Sequence, residues 1–187
     1  IVTRERFYDD EYFDETQFMM FAEFTPIAGL EVMNFLRVGD QIDFANTRIG
    51  EVLVLEPEIR WDINQHVKLN VSHNFNELEV DGKRLFTANQ TDIRINYQFD
   101  MRSILKLVIK YTDIDRDLDL YHWDDIDDKP ESTERYFSTQ LIYSYKINPQ
   151  TLFFIGYSDG GYQDDALDSI ERDQRTIFTK FSYAWQL

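Results

Sequence analysis

The sequence lacks cysteine and is poor in the residues that most often interrupt regular structure, with 7 glycines and 4 prolines among 187 residues. Without cysteine it has neither a disulfide framework nor a thiolate metal site. No run approaches the ~18 consecutive apolar residues of a membrane-spanning helix. Basic residues are also scarce, because 19 lysines and arginines stand against 35 acids, for a net charge of −16. This charge balance excludes nucleic-acid binding through a basic surface.

The negative charge is concentrated in two segments. Residues 112–135 and 158–174 together hold 16 of the acids and 4 of the bases, so they supply −12 of the total charge. Aromatic residues are abundant elsewhere, with 15 Phe, 11 Tyr and 3 Trp in the chain. We therefore expect two acidic, water-exposed loops between segments that are rich in aromatic residues.

Alternation of apolar and polar residues is clearest at the end of the chain. In residues 175–187, every second side chain from Ile177 to Leu187 lies on one face of a strand, because successive side chains of a strand point to opposite faces. Similar alternation predicts about nine strands, at 17–25, 30–38, 51–63, 66–75, 91–99, 104–111, 137–146, 151–157 and 175–187.

Short turns and long polar stretches join these strands in strict alternation, the layout of an outer-membrane barrel with periplasmic turns and extracellular loops. Strands of ~9–11 residues also suit a tilted bilayer crossing, whereas strands of globular proteins typically have ~5–6. The predicted fold is all-β: the C-terminal part of an antiparallel transmembrane β-barrel, with short periplasmic turns and long acidic extracellular loops. Residues 1–187 form one domain, in which 1–15 are the remnant of a surface loop.

Strand parity adds a further expectation. Single-chain bacterial barrels have an even number of strands and both ends in the periplasm. If residues 17–25 form the first strand and it runs downward from a surface loop, an odd number of strands is missing. The chain then needs a barrel-completing N-terminal fragment or another envelope protein as its partner.

Two sets of residues follow from the predicted strand faces. The water-facing set should line a lumen, and the aromatic set at the periplasmic strand ends should form a membrane girdle. The predicted lumen-lining residues are Glu56, Glu58, Arg60, Asp62, Lys68, Asp92, Arg94, Lys106, Lys110, Lys146 and Lys180. The predicted girdle residues are Phe24, Trp61, Phe99, Tyr145 and Trp185.

The C-terminal third also carries a family resemblance. The run Thr139-Gln-Leu-Ile-Tyr-Ser-Tyr-Lys-Ile-Asn-Pro-Gln-Thr151, then Phe154-Ile-Gly-Tyr-Ser-Asp159 and Phe178-Thr-Lys-Phe-Ser-Tyr-Ala-Trp185, resembles a bacterial envelope-protein family. Its members combine an N-terminal module similar to carbohydrate-binding domains with a C-terminal outer-membrane barrel. The resemblance implies a barrel for this chain, and it supplies neither a catalytic motif nor a glycan-binding residue.

Alternate aspartates form the most pointed local pattern. Asp113, Asp115, Asp117 and Asp119 share one strand face, and oxygen ligands in such an arrangement suit calcium. An EF-hand is excluded, because its sixth position requires glycine and Leu118 stands there. The pattern also fits a solvated strand extension above the membrane, kept soluble by its charge. If the aspartates do form a site, calcium bound there would bridge the protein to lipopolysaccharide. Calcium is the one candidate cofactor.

No catalytic residue is nominated, because the sequence has no Gly-Xaa-Ser-Xaa-Gly elbow and no phosphate-binding loop. The leading hypothesis is a non-enzymatic pore, transporter or translocation conduit in the bacterial outer membrane, in contact with lipid and lipopolysaccharide. One alternative is a plugged surface scaffold barrel that binds a partner protein or glycan. Another is a soluble carbohydrate-binding β-sandwich, because its strands alternate in the same way.

Overall fold

A computed structural model describes residues 1–121 and 129–184, and these form a single antiparallel sheet of ten strands. The strands are β1 (Val2–Tyr8), β2 (Glu11–Ile27), β3 (Leu30–Asp43), β4 (Arg48–Asp62), β5 (Val67–Val80), β6 (Lys83–Gln98), β7 (Ser103–Arg116), β8 (Thr133–Asn148), β9 (Thr151–Gln163) and β10 (Glu171–Tyr183). Each strand pairs with its neighbours in sequence. Apart from a 3-10 turn at Leu118–Leu120, the described part of the chain contains no helix. The prediction of an all-β, antiparallel architecture is confirmed.

The sheet is open. In the described residues β1 and β10 do not pair, and β1 forms strand pairs only with the first part of β2, from Val2 opposite Gln17 to Tyr8 opposite Glu11. Residues 18–24 and 27 of β2 therefore pair with β3 on one side and have no strand on the other. The described residues form ten strands rather than about nine. The parity argument for an odd number of further strands fails, because β1 precedes the strand at residues 17–25 that was predicted to be the first.

The prediction of a loop at residues 1–15 was wrong. This segment holds β1 and the start of β2, joined by Asp9 and Asp10. Both aspartates have positive φ angles, 50° and 63°, as a two-residue hairpin turn of type I′ requires. The sequence signal was weak because charged and aromatic side chains occur on both faces of the hairpin.

Two of the predicted long loops are also shorter than expected. Residues 44–47 join β3 to β4, and Asp81-Gly82 joins β5 to β6, in place of the polar stretches 39–50 and 76–90. The strands extend into those stretches with mostly polar residues, and the apolar Leu78 and Val80 are buried on the face opposite to that of Val71 and Phe75. Long connections remain between β7 and β8 and between β9 and β10, and residues 122–128 of the first lie outside the described residues.

The pairing registers define two ends and two faces of the sheet. We call the strand ends joined by the turns β2–β3, β4–β5, β6–β7 and β8–β9 the turn end of the sheet, and the opposite strand ends the acidic end. Residues that pair directly across antiparallel strands share a face. One row of pairs is apolar, with Val32, Ile59, Val71, Ile93 and Ile109, and defines the apolar face. Another row contains Glu58, Ser72, Asp92, Lys110 and Ser138, and defines the polar face.

The β1–β2 hairpin folds against the β3–β4 hairpin at the acidic end. Gly39 lets the β2 backbone pass close by, because a Cβ at this position would lie 2.2 Å from the carbonyl oxygen of Thr16. The Tyr8 hydroxyl donates to the Phe44 carbonyl oxygen at 3.0 Å. Between the hairpins Glu15 is fully buried, and its carboxylate lies 2.6 Å from Arg4 Nε. This packing stabilises the free edge of the sheet.

Candidate functional site

The predicted lumen-lining residues all lie on the polar face. The registers place Glu56, Glu58, Arg60 and Asp62 of β4 beside Lys68 of β5, and the remaining residues follow on β6 to β10. That these residues share a face is observed; that they line a lumen stays a prediction.

Ion pairs hold the centre of the polar face. Arg60 Nε lies 2.7 Å from Glu58 Oε1, which also accepts from Asn70 at 2.7 Å. Asp92 is buried, with its carboxylate oxygens 3.0 Å from Arg94 Nε and 3.3 Å from Lys110 Nζ. Asp92 therefore links β6 to β7 through Lys110, and Glu58 links β4 to β5 through Asn70.

Charges of opposite sign separate along the polar face. Away from the acidic end, β2 to β5 present more carboxylates than cations, whereas β6 to β10 present one carboxylate, Asp92, and five cations. The carboxylates on the first half are Glu23, Glu31, Glu56, Glu58 and Asp62, and the cations are Arg37, Arg60 and Lys68. The cations on the second half are Arg94, Lys106, Lys110, Lys146 and Lys180. A solute close to this face meets a field directed across the strands.

The apolar face is free of charge over a long band. On each of seven described strands, this face carries no charged side chain between the turn end and a single boundary residue. The boundary residues are Asp40, Glu51, Glu77, Asp113, Arg135, Asp159 and Arg175. On β4 the charge-free part runs from Trp61 to Leu53, about 26 Å along the strand at ~3.3 Å per residue. At a barrel-strand tilt of ~40° this projects to roughly 20 Å, near the ~25 Å apolar band of membrane barrels.

Large side chains of this band are exposed, because the described residues place no second layer over it. The exposed members are Phe18, Met20, Phe24, Leu55, Ile59, Trp61, Tyr97, Phe137, Leu141, Ile155, Ile177, Phe181 and Tyr183. Four predicted girdle residues, Phe24, Trp61, Phe99 and Tyr145, lie on the apolar face at its turn end, and the Phe99 ring contacts those of Tyr97 and Tyr143. The fifth, Trp185, lies outside the described residues.

A short segment covers the polar face near the acidic end, and sequence reasoning missed it. Leu120 and Tyr121, which follow β7, pack on a buried cluster of Val52, Val54, Leu78, Val80 and Leu85. Arg48 anchors the segment, donating through Nη2 to the Leu120 carbonyl oxygen at 2.6 Å. Burial raises the pKa of the Tyr121 hydroxyl. The sequence signal that could have predicted this segment is the apolar pair Leu120 and Tyr121 within an acidic stretch.

A cleft of about 390 Å³ opens on the polar face and is lined by residues of β2 to β6. Phe21, Met33 and Phe35 form an apolar wall, although they belong to the face that is otherwise charged. Apolar residues stand at both odd and even positions of 30–38, so alternation alone leaves two competing registers for this strand. The structure assigns Val32 and Leu36 to the apolar face, and Met33 and Phe35 to the polar face.

The candidate calcium ligands do not converge. Asp113 Oδ1 accepts from Arg135 Nε at 2.9 Å, and Asp115 lies 3.7 Å from the same guanidinium. Asp117 instead caps the 3-10 turn by accepting from the Asp119 amide at 3.1 Å. Among the described residues no group of three or more histidine or acidic side chains is placed to hold a metal ion.

Comparisons with protein-family models, with curated proteins and with solved structures gave no match. In the described part of the chain, no helix has the length and apolar character needed to cross a membrane.

Proposed function

We propose that this chain forms the closing wall of an outer-membrane β-barrel that serves as a pore, transporter or translocation conduit. The observation that carries the proposal is the contrast between the faces: one has an exposed, charge-free apolar band, and the other carries 14 charged side chains at the same height. A bilayer accepts the first face, and a water-filled lumen accepts the second.

Additional strands complete the barrel in this proposal. The outer edge of β10 and the edge of β2 at residues 18–27 present unpaired backbone groups, which cannot stay exposed to hydrocarbon. The missing partners are strands from another segment or another envelope protein, and lipid with lipopolysaccharide surrounds the apolar face.

A second candidate is a plugged surface scaffold that binds a partner protein or glycan. The segment Leu118–Tyr121 favours it, because it covers part of the polar face and is fixed there by Arg48. A conduit leaves a continuous water path past this segment, whereas a scaffold does not.

Two measurements on the complete protein test the proposal. Cell fractionation followed by gel migration of cold and boiled detergent extracts should locate it in the outer membrane with heat-modifiable migration. A soluble protein with unchanged migration would contradict the barrel. Planar-bilayer recording then distinguishes the candidates: a stable current is expected of a conduit, and silence favours the plugged scaffold.

A further inference from the structure

The cleft on the polar face combines aromatic rings with a carboxylate in one register row. Phe21 of β2 pairs with Phe35 of β3, and Phe35 pairs with Glu56 of β4. Directly paired side chains in antiparallel strands have Cβ atoms ~4.5–5.5 Å apart. Two rings and an acid therefore stand side by side along one wall of the cleft.

The aromatic end of this row is open to water. Phe21 has 63% of its surface exposed, in contrast to the buried apolar cluster farther along the same face. Its ring and that of Phe35 border the cleft together with Met33. A ligand with an apolar body would remove these surfaces from water on binding.

The cleft is also short of positive charge. Its lining has three carboxylates, Glu56, Glu58 and Asp92, and one guanidinium, Arg60. Arg60 pairs with Glu58, and Asp92 is paired with Arg94 and Lys110. Glu56 is held by Asn74, which donates to Oε1 at 2.5 Å, and it has no ion pair within the described part of the chain. The next cation along β3 is Arg37, which lies on the same face two residues beyond Phe35 and pairs with Val54 of β4.

We infer that this cleft binds a small organic cation, with its ammonium group between Glu56 and the faces of Phe21 and Phe35. Aromatic faces attract cations electrostatically, and a carboxylate without its own counter-ion completes the neutralisation. The inference rests on the proposed function in one respect: the polar face has to be the water-filled side of the sheet.

Choline is a suitable probe, because 3,3-dimethylbutan-1-ol has the same shape without the charge. Isothermal titration of the complete purified protein should show binding of choline and at least about tenfold weaker binding of the neutral alcohol. Glu56→Gln and Phe35→Leu should each weaken choline binding by about tenfold. Glu5→Gln, which makes the same charge change on exposed β1, should leave it unchanged.

Equal binding of choline and the alcohol, or choline binding that is insensitive to Glu56→Gln in a folded variant, would overturn the inference. Circular dichroism and gel migration of each variant establish that it is folded. A heat-modifiable outer-membrane protein that does not bind choline would leave the barrel standing and remove the cation site. A soluble protein would remove the barrel, and the titration would still decide the cation site.

Discussion

Gly39 is the residue on which the folding of the β1–β2 hairpin over its neighbour depends most directly. Its φ angle is +135°, and a Cβ would lie 2.2 Å from the Thr16 carbonyl oxygen and 2.8 Å from the Gln17 Cα. We expect Gly39→Ala to lower the free energy of unfolding by about 2–4 kcal/mol, from strain and overpacking together. Urea unfolding of the detergent-solubilised protein measures the change.

Gly82→Ala is the matched control for this prediction. Gly82 also has a positive φ, +71°, but a Cβ there meets no atom within 4 Å. The expected loss is about 1 kcal/mol, from backbone conformation alone. Equal losses for the two variants would contradict the close approach of β2 to Gly39.

The buried carboxylate of Asp92 is expected to contribute to the stability of the polar face. Its side chain is 7% exposed and is shared by Arg94 and Lys110, so Asp92→Asn leaves two cations without their counter-charge. We expect a loss of about 1–3 kcal/mol in the free energy of unfolding, because buried charge partners are costly to remove. Asp62→Asn breaks a pair whose two side chains are 57% and 63% exposed, and should cost about 0–1 kcal/mol. If the two variants lose the same stability, burial of Asp92 has no energetic role.

At the scale of elements, Asp165 joins the two long connections of the acidic end. Its carboxylate accepts from the Ser132 hydroxyl at 2.7 Å and from the amides of Ser132 and Thr133 at 2.7 and 2.8 Å. These hydrogen bonds, led by the Ser132 hydroxyl, lower the pKa of Asp165 below its ordinary value of 3.8. Because the folded pKa is the lower one, the contribution is complete above the ordinary value and is lost as pH falls through the folded value.

We therefore expect the amide resonances of Ser132 and Thr133 to titrate with a midpoint below pH 3.8 in nuclear magnetic resonance spectra. In Asp165→Asn the same resonances should show no such transition. A midpoint at or above 3.8 in the unmodified protein would contradict a contact between these two connections.

The sequence predicts the elements well near the turn end and poorly near the acidic end, for one physical reason. Alternation is visible where one face is apolar, and all nine predicted strands lie in or overlap that region. Beyond the apolar band that face carries acidic residues such as Asp40 and Glu77, and Leu78 and Val80 are buried on the opposite face instead, so the short polar-rich runs 39–43 and 76–80 read as loops although they are strands. The turn at Asp81-Gly82 could have been predicted from the sequence, because Asp-Gly is a strong two-residue hairpin signal.

Residue placement on the two faces was predictable for the same reason, whereas contacts between distant segments were not. Alternation alone assigns Glu58 and Lys110 to one face. The cover of Leu120 and Tyr121 over the β4–β6 cluster depends on the path of a long connection, which no local pattern specifies. The aromatic wall of the cleft was hidden by the two competing registers of β3.

At the scale of the whole molecule, the proposed function requires one face of the sheet to lie against lipid and the other to lie against water. Neighbouring residues of β4 should alternate between the two environments, with Leu55 and Ile59 on the apolar face and Glu56 and Glu58 on the polar face. The chain has no cysteine, so a single cysteine introduced at any of these four positions is its only thiol, and the complete protein without that substitution gives the labelling background.

An environment-sensitive fluorophore at each position, in the complete protein reconstituted into lipid vesicles, tests the central claim most directly. Labels at 55 and 59 should emit at shorter wavelength and be quenched by nitroxide groups on the lipid chains. Labels at 56 and 58 should be quenched by aqueous iodide and not by the lipid nitroxides. If all four labels respond alike, or if iodide quenches 55 and 59 as strongly as 56 and 58, the apolar face does not lie against a membrane.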